Sequence, residues 1–151
     1  MNRLAYGAAA MALVSLIQWP QAAAAPENVG TAVNVVMHAS FEQTPDADQC
    51  VGAGELAAVR RGASVVISEG SVAPDAPKVA VGQFFRSRLN NGACQVLYIT
   101  SAPLRGSFNV QFVGPGGEPS SVFGPNRSEP VTDQPGIQQV VHVDLGFAPQ
   151  P

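Results

Sequence analysis

The sequence predicts an all-β domain built as an antiparallel β-sandwich. Charged residues make up only 13% of the 151 residues, while 15 residues are Gly and 13 are Pro, a composition that favours strands and loops over surface helices. The windows between the prolines hold most of the β-branched and aromatic residues, and several windows alternate apolar with polar positions. The best helical candidate, residues 55–61, is one turn long. Antiparallel strands with one wet face normally pack as two sheets, and a small β-barrel is the second choice.

Proline marks the expected strand ends, because it cannot donate to a β-ladder. About six or seven short strands result, with the clearest ones at residues 31–40, 63–69, 78–88, 93–100, 107–113 and 137–147. In the strand at 107–113, for example, Phe108, Val110 and Phe112 share one face, which is expected to be buried. Asn90-Asn91-Gly92 tolerates the positive φ angles of a tight turn, so the strands on either side of it are predicted to form a hairpin.

Residues 114–136 form the longest irregular segment that the pattern predicts. Connections in compact domains usually have about four to six residues, so a loop of this length is either a surface excursion or a functional loop. As an excursion, it would be pinned to the body by Val122 and Phe123. As a recognition loop, it would use Phe123 and Arg127 as anchors, since aromatic residues and Arg dominate interface energetics. Asn126-Arg127-Ser128 also matches a glycosylation acceptor.

The first 24 residues are typical of a cleaved signal peptide. Arg3 supplies an early positive charge, residues 8–17 form a short apolar core, and Ala22 to Ala25 provide small residues for a signal peptidase. The apolar core is about half as long as a membrane span requires, and no second apolar stretch of that length follows it. We therefore expect cleavage near Ala24-Ala25 and one mature domain, residues 25–151. Its expected location is the medium, the periplasm or the cell envelope.

Charge and composition argue against nucleic-acid partners and suggest no cofactor. Removal of residues 1–24 leaves seven basic and eleven acidic residues, which are scattered along the chain. No basic patch is available to follow a phosphate backbone. Phosphate-binding glycine loops are also missing from the pattern, because the glycines at 114–117 precede no helix.

The two cysteines are predicted to form a disulfide. In an oxidising compartment, Cys50 and Cys94 would close a loop of about 45 residues and contribute about 4 kcal/mol to stability in the chain-entropy model. A metal site or a reactive thiol is the alternative. Neither has support, because the sequence contains no Cys-x-x-Cys and no His near either Cys.

Candidate catalytic residues are few. The sequence has no G-x-S-x-G elbow, and its two histidines, His38 and His142, lie on predicted strands as half-exposed residues. A minority hypothesis is a divalent metal site. His142 and Asp144 point to the same side of their strand, and His38 would join them if the first and last strands paired. We assign no catalytic residue and no metal site from the sequence.

The block from Cys50 to Val113 resembles small exported actinobacterial proteins, many of them mycobacterial. The resemblance is carried by Cys50-x-Gly52-x-Gly54, Gly62, Gly82, Gly92-Ala93-Cys94, Pro103 and Phe108-x-Val110-x-Phe112. It implies an immunoglobulin-like or transthyretin-like sandwich with one disulfide and a location in the cell envelope. It implies no catalytic residue.

These observations favour an exported, non-catalytic binding module. Its partner would be an envelope component, a protein or a small apolar ligand between the sheets. A secreted hydrolase or metal-dependent enzyme that uses His38, His142 and Asp144 is one alternative. A secreted inhibitor that uses the 114–136 loop is the other.

Overall fold

The structure, a computed structural model, describes residues 27–146, and most of its strands close into a single barrel. The strands are β1 (Asn28–Met37), β2 (Phe41–Gln43), β3 (Cys50–Gly52), β4 (Ser64–Ser68), β5 (Lys78–Asn90), β6 (Ala93–Pro103), β7 (Ser107–Val113), β8 (Pro119–Gln134) and β9 (Ile137–Leu145). The order around the barrel is β1-β6-β5-β4-β7-β8-β9, while β2 and β3 form a separate two-stranded sheet. The prediction of an all-β domain is confirmed.

The finer prediction of an immunoglobulin-like or transthyretin-like sandwich is not confirmed, because one continuous ladder runs through all seven barrel strands. Neighbouring strands are antiparallel except for β1 and β9, which pair in parallel and close the barrel. A small barrel was our second choice from the sequence. Between β3 and β4, the helical candidate at residues 55–61 is represented by a single 3₁₀ turn at Gly54–Leu56.

The core fills the inside of the barrel with alternate residues from each strand. The predicted dry face of β7 is confirmed, since Phe108, Val110 and Phe112 are all buried. Similar alternation buries Val33, Val35 and Met37 of β1, Cys94, Val96 and Tyr98 of β6, and Val141, Val143 and Leu145 of β9. Phe147, the last residue of the strand predicted at 137–147, lies outside the described residues.

The predicted loop at 114–136 is wrong for most of its length, because residues 119–134 form strand β8. The first part of β8 pairs with β7, and the second part pairs with β9. Pro125 lies where the β7–β8 register shifts, and Pro130 is the last pair before the shift in β8–β9. Proline is tolerated at such bulges because a residue there does not need to donate an N–H to the neighbouring strand. Proline therefore marked irregular positions within a strand instead of the ends of one.

The predicted hairpin is confirmed, and its turn has the expected chemistry. Asn90 pairs with Ala93, so the turn consists of Asn91 and Gly92, with φ angles of 51° and 80°. Two successive positive φ angles match a type I′ turn, whose twist suits the strands that it joins.

The predicted disulfide between Cys50 and Cys94 is present, with the two Cα atoms 5.8 Å apart. It joins β3 of the small sheet to the start of β6 in the barrel. The proposed signal peptide, residues 1–24, lies outside the described residues. Residues 27–146 contain no helix with the length and apolarity that a membrane crossing requires.

Candidate binding groove

An open groove lies on the outer surface of the barrel across β5, β6, β1 and the β8–β9 hairpin. Its volume is about 220 Å³. The apolar residues that line it are Ala32, Leu97, Ile99, Ile137 and Val140. The polar residues that line it are Asn34, Arg86, Arg88, Gln95 and Gln134. We call this surface the arginine groove.

The β8–β9 hairpin forms one wall of the groove, and a close backbone approach holds it there. A Cβ atom placed on Gly30 of β1 would lie 1.8 Å from the carbonyl oxygen of Gly136 in the hairpin turn. Only glycine allows the two backbones to meet at this distance. The amide of Gly30 also donates a hydrogen bond to Oε1 of Gln138. Gln134 and Ile137, on either side of the turn, are thereby set beside the outer face of β1.

The opposite wall is a stretch of β5 that carries two arginines. The β5–β6 register shifts between Phe84 and Arg86, so Phe85 is an extra residue in the strand. After this bulge, Arg86 and Arg88 point outward and Ser87 points inward. Two residues apart on one face of a strand, the arginines are about 7 Å from each other at Cα.

A chain of hydrogen bonds orients Arg88 across the groove floor. Its Nε donates to Oε1 of Gln95 at 2.8 Å, and Nε2 of Gln95 donates to Oδ1 of Asn34 at 2.8 Å. The chain crosses β5, β6 and β1 in order. It uses only one of the five N–H donors of Arg88, and a guanidinium can donate the others to a planar acceptor such as a carboxylate.

The disulfide region supports the arginine wall from behind. Oγ of Ser87 donates to the carbonyl of Cys50, and the amide of Leu89 donates to Oε1 of Gln49. Cys94, the disulfide partner of Cys50, pairs with Leu89 across the β5–β6 ladder. The residues that alternate with the two arginines are thus fixed to the segment that the disulfide anchors.

The groove carries positive charge that the protein does not neutralise. Among the described residues that line it, none is acidic. Within residues 27–146, neither Arg86 nor Arg88 forms an ion pair, whereas Arg61, Arg105 and Arg127 each contact a carboxylate. The guanidinium of Arg86 instead lies 5.8 Å from the ring centroid of Phe85.

Exposed apolar side chains extend this surface along β5. Phe85 is 58% exposed and Val81 is 56% exposed, so both are unusually open for large hydrophobic residues. Exposed apolar residues are common singly, but Phe85 lies against Arg86 of the groove wall, and Val81 is on the same strand. The outer face of β5 and β6 is therefore chemically distinct from an ordinary solvated strand face.

The structure separates the two histidines of the metal hypothesis. The first and last strands do pair, but the register sets His142 opposite Asn34, four residues before His38. Nε2 of His142 lies 3.2 Å from Oε2 of Glu129, and Nε2 of His38 lies 3.7 Å from Oδ1 of Asp144. Within residues 27–146, no group of three or more His, Cys, Asp or Glu side chains is arranged to hold a metal ion.

Phe123 and Arg127 do not sit on a free recognition loop, because both belong to β8. The ring of Phe123 packs against the core, with its centroid 5.9 Å from that of Phe112. Arg127 is 74% exposed and contacts Glu129. Nδ2 of Asn126 donates to the carbonyls of Phe108 and Phe123, so the predicted glycosylation acceptor uses its amide within the fold.

Two buried polar groups lie inside the barrel near the groove floor. Gln139 donates to Oγ1 of Thr31 and to the carbonyl of Pro103, and accepts from Ser128, which ties β9 to three other strands. The hydroxyl of Tyr98 is buried without a hydrogen-bond partner among the described residues. Burial raises the pKa of the Tyr98 phenol well above its ordinary value, because the phenolate would lose its hydration.

No protein-family model, no curated protein and no solved structure matches this chain.

The sequence contained a partial signal for the groove. Gln95, Leu97 and Ile99 form the outward face of β6 in the alternation, and Arg86 and Arg88 share a face at a spacing of two. What the sequence lacked was the order of the strands. Residues 32–34, 86–88, 95–99 and 134–140 become one surface only after the barrel closes.

Proposed function

We propose that this protein is an exported, non-catalytic binding module of the cell envelope or medium, and that it binds through the arginine groove. One observation carries the proposal: an apolar groove floor lies beside Arg86 and Arg88, whose charges have no carboxylate partner within residues 27–146. Neither arginine has its charge compensated by a carboxylate within residues 27–146. Both features, the apolar floor and the arginines, are typical of protein surfaces that recognise a partner, where Arg and aromatic residues are enriched.

The rigidity of the site supports the same function. Its walls are held by the Gly30–Gly136 backbone contact and by the segment that the disulfide anchors. A preformed surface loses less conformational entropy on association than a mobile one, which favours affinity. Binding to a rigid barrel face needs no moving parts and no reacting group.

Export rests on the sequence pattern of residues 1–24 and is supported by the disulfide, since such bonds persist in oxidising compartments. The likeness to small exported actinobacterial proteins supports the same location and a kinship with immunoglobulin-like or transthyretin-like domains. Export predicts that the protein recovered from the envelope or medium begins near Ala25. N-terminal sequencing of protein from each cell fraction provides the check.

Site-specific photo-crosslinking tests the binding function. A photo-reactive residue replaces Gln134 in the exposed groove wall, and a matched variant carries it at Ser121, an exposed position on the β7–β8 side of the barrel. Both full-length chains are expressed in the native host and irradiated. A discrete crosslinked species from position 134 alone supports the proposal. Identical products from both positions, or none from 134, refute it.

A further inference from the structure

We propose that the occupant of the arginine groove is an acidic segment of a partner protein, which places an apolar side chain in the groove and carboxylates on Arg86 and Arg88. This inference rests on the binding function proposed above and adds the chemistry of the partner.

Charge complementarity gives the sign of the partner. The described lining of the groove contains two cations and no acid, although acidic residues outnumber basic ones in the whole chain. A guanidinium donates two parallel hydrogen bonds to the two oxygens of a carboxylate, and this planar geometry favours carboxylates as partners. The hydrogen bond from Arg88 to Gln95 occupies only Nε, and Arg88 lines the groove.

The size of the groove indicates a protein partner and not an enclosed small molecule. Sites that bury most of a small ligand usually measure about 300–1,000 Å³, and this groove is open and measures about 220 Å³. Such a volume suits one or two side chains that project from a larger body. The exposed side chain of Phe85 lies beside Arg86 on the groove wall, where a larger partner can cover it.

The mixed lining points the same way. Asn34, Gln95 and Gln134 place amide groups among the apolar residues of the floor and wall. A peptide backbone can hydrogen-bond to these amides while its side chains contact Leu97 and Ile99. Gln95 already bonds to Arg88 and Asn34, but an acyl chain would offer no partner to Nδ2 of Asn34 or to the amide of Gln134, which costs free energy on binding.

Selection from a random peptide library tests the inference. The full-length chain is expressed with export so that its disulfide forms, and is then used to select from displayed random 12-residue peptides. Selected peptides are synthesised, and their sites are mapped by the amide NMR shifts of Leu97, Ile99 and Gln134. Affinities are compared for the native protein, the double variant R86E/R88E and the control R60E. Arg60 is exposed, lies outside the groove and has no carboxylate partner in the described part of the chain.

The proposal expects groove-binding peptides enriched in Asp and Glu next to Leu, Phe or Trp. Their affinity should fall at least about tenfold in R86E/R88E and stay unchanged in R60E, because reversed charges repel the carboxylates. Circular dichroism of the double variant should match that of the native protein, since both arginines are exposed and lie outside the core.

Other results overturn the inference in distinguishable ways. Peptides that map to the groove without acidic enrichment, and that bind R86E/R88E equally well, refute the acidic partner and leave groove binding intact. Decanoate that shifts the groove amides when no peptide does so indicates an acyl ligand and also refutes it. Peptides that map elsewhere, or no selected peptides, refute both the inference and the proposed function.

Discussion

Two outward regions of this barrel treat their charges in opposite ways. On β8 and β9, Arg127 and His142 both contact Glu129, so the charge of Arg127 faces a carboxylate. We call this region the paired face. In the arginine groove, Arg86 and Arg88 have no such partner within residues 27–146, although both lie on an equally regular strand. A described carboxylate compensates the charge of Arg127, whereas none compensates the charges of Arg86 and Arg88.

The difference concerns charge compensation and not stability. Exposed ion pairs contribute little to stability, about 0–1 kcal/mol, so the paired face is close to neutral in its effect. The uncompensated arginines of the groove form no ion pair within residues 27–146, yet two contacts hold the groove walls in place. Those contacts involve the disulfide segment behind β5 and the glycine pair under the β8–β9 hairpin.

Removal of the disulfide should have the largest effect and should act on the groove first. In C50A/C94A, the free energy of unfolding is expected to fall by about 4 kcal/mol, because the unfolded chain gains the entropy of a long loop. Urea unfolding measures the loss. Amide hydrogen exchange should accelerate at Arg86 and Arg88 more than at Arg127. Equal acceleration at both regions would show that the disulfide does not support the groove wall specifically.

The substitution G30A should displace the hairpin wall. Its Cβ atom would meet the carbonyl oxygen of Gly136, and relief of this overlap is expected to cost about 3 kcal/mol in stability. The control is G106A, because a Cβ atom on Gly106 meets no atom within 4 Å. Thermal and urea unfolding should show a change within about 0.5 kcal/mol for the control. A G30A protein with native stability would contradict the described contact.

Alkaline pH should destabilise the protein through ionisation of Tyr98, which is buried inside the barrel beneath the groove floor. Tyrosine ionises near pH 10 when unfolded, and burial raises the pKa of Tyr98, so the unfolded state releases its proton first as pH rises. The free energy of unfolding should therefore decrease above about pH 10, by up to about 1.4 kcal/mol per pH unit.

The substitution Y98F should remove this Tyr98-linked slope, because phenylalanine cannot ionise. Urea unfolding between pH 8 and 11 measures it on the protein from residue 25 onward, whose one tyrosine is Tyr98. Tyrosinate absorbance should appear only as that protein unfolds. Tyrosinate formation in the folded protein near pH 10 would contradict the burial of the phenol.

Neutralising the surface arginines should have the smallest effect and should sharpen the contrast between the regions. R86A and R88A are each expected to change stability by less than about 0.5 kcal/mol, because they lose only exposed contacts, with Phe85 and with Gln95 respectively. R127A is expected to lower stability slightly, by less than about 1 kcal/mol, because its contact with Glu129 is lost. Urea unfolding at low and high salt compares them. A large loss in R86A would mean that the groove arginines serve the fold.

Local sequence signals predicted the parts of this fold that depend on neighbours along the chain. The alternation around Phe108, Val110 and Phe112 gave a strand with a buried face, and Asn91-Gly92 gave the hairpin turn. The presence of two cysteines, together with the expected oxidising compartment, predicted the disulfide. In each case, the physical cause lies within a few residues or in a single pairing with no competitor.

The remainder depended on partners distant in sequence. Pro125 and Pro130 indicated a loop, but β8 tolerates them where its pairing with β7 and β9 is irregular. The parallel register of β1 and β9 decided that His38 and His142 do not converge. The groove was out of reach for the same reason, since its residues come from five strands whose order no local pattern encodes.

The pairing of the first strand with the last has a kinetic consequence. Thr31 pairs with Gln139, so barrel closure must bring together residues that are 108 positions apart. Contacts of such sequence separation form slowly, and β1 and β8 keep open hydrogen-bonding edges until β9 arrives between them. A chain that is synthesised amino-terminus first therefore passes through an interval in which these edges can pair with other chains. Aggregation should be governed by the time that β9 needs to dock, and truncation before residue 137 should make that interval permanent.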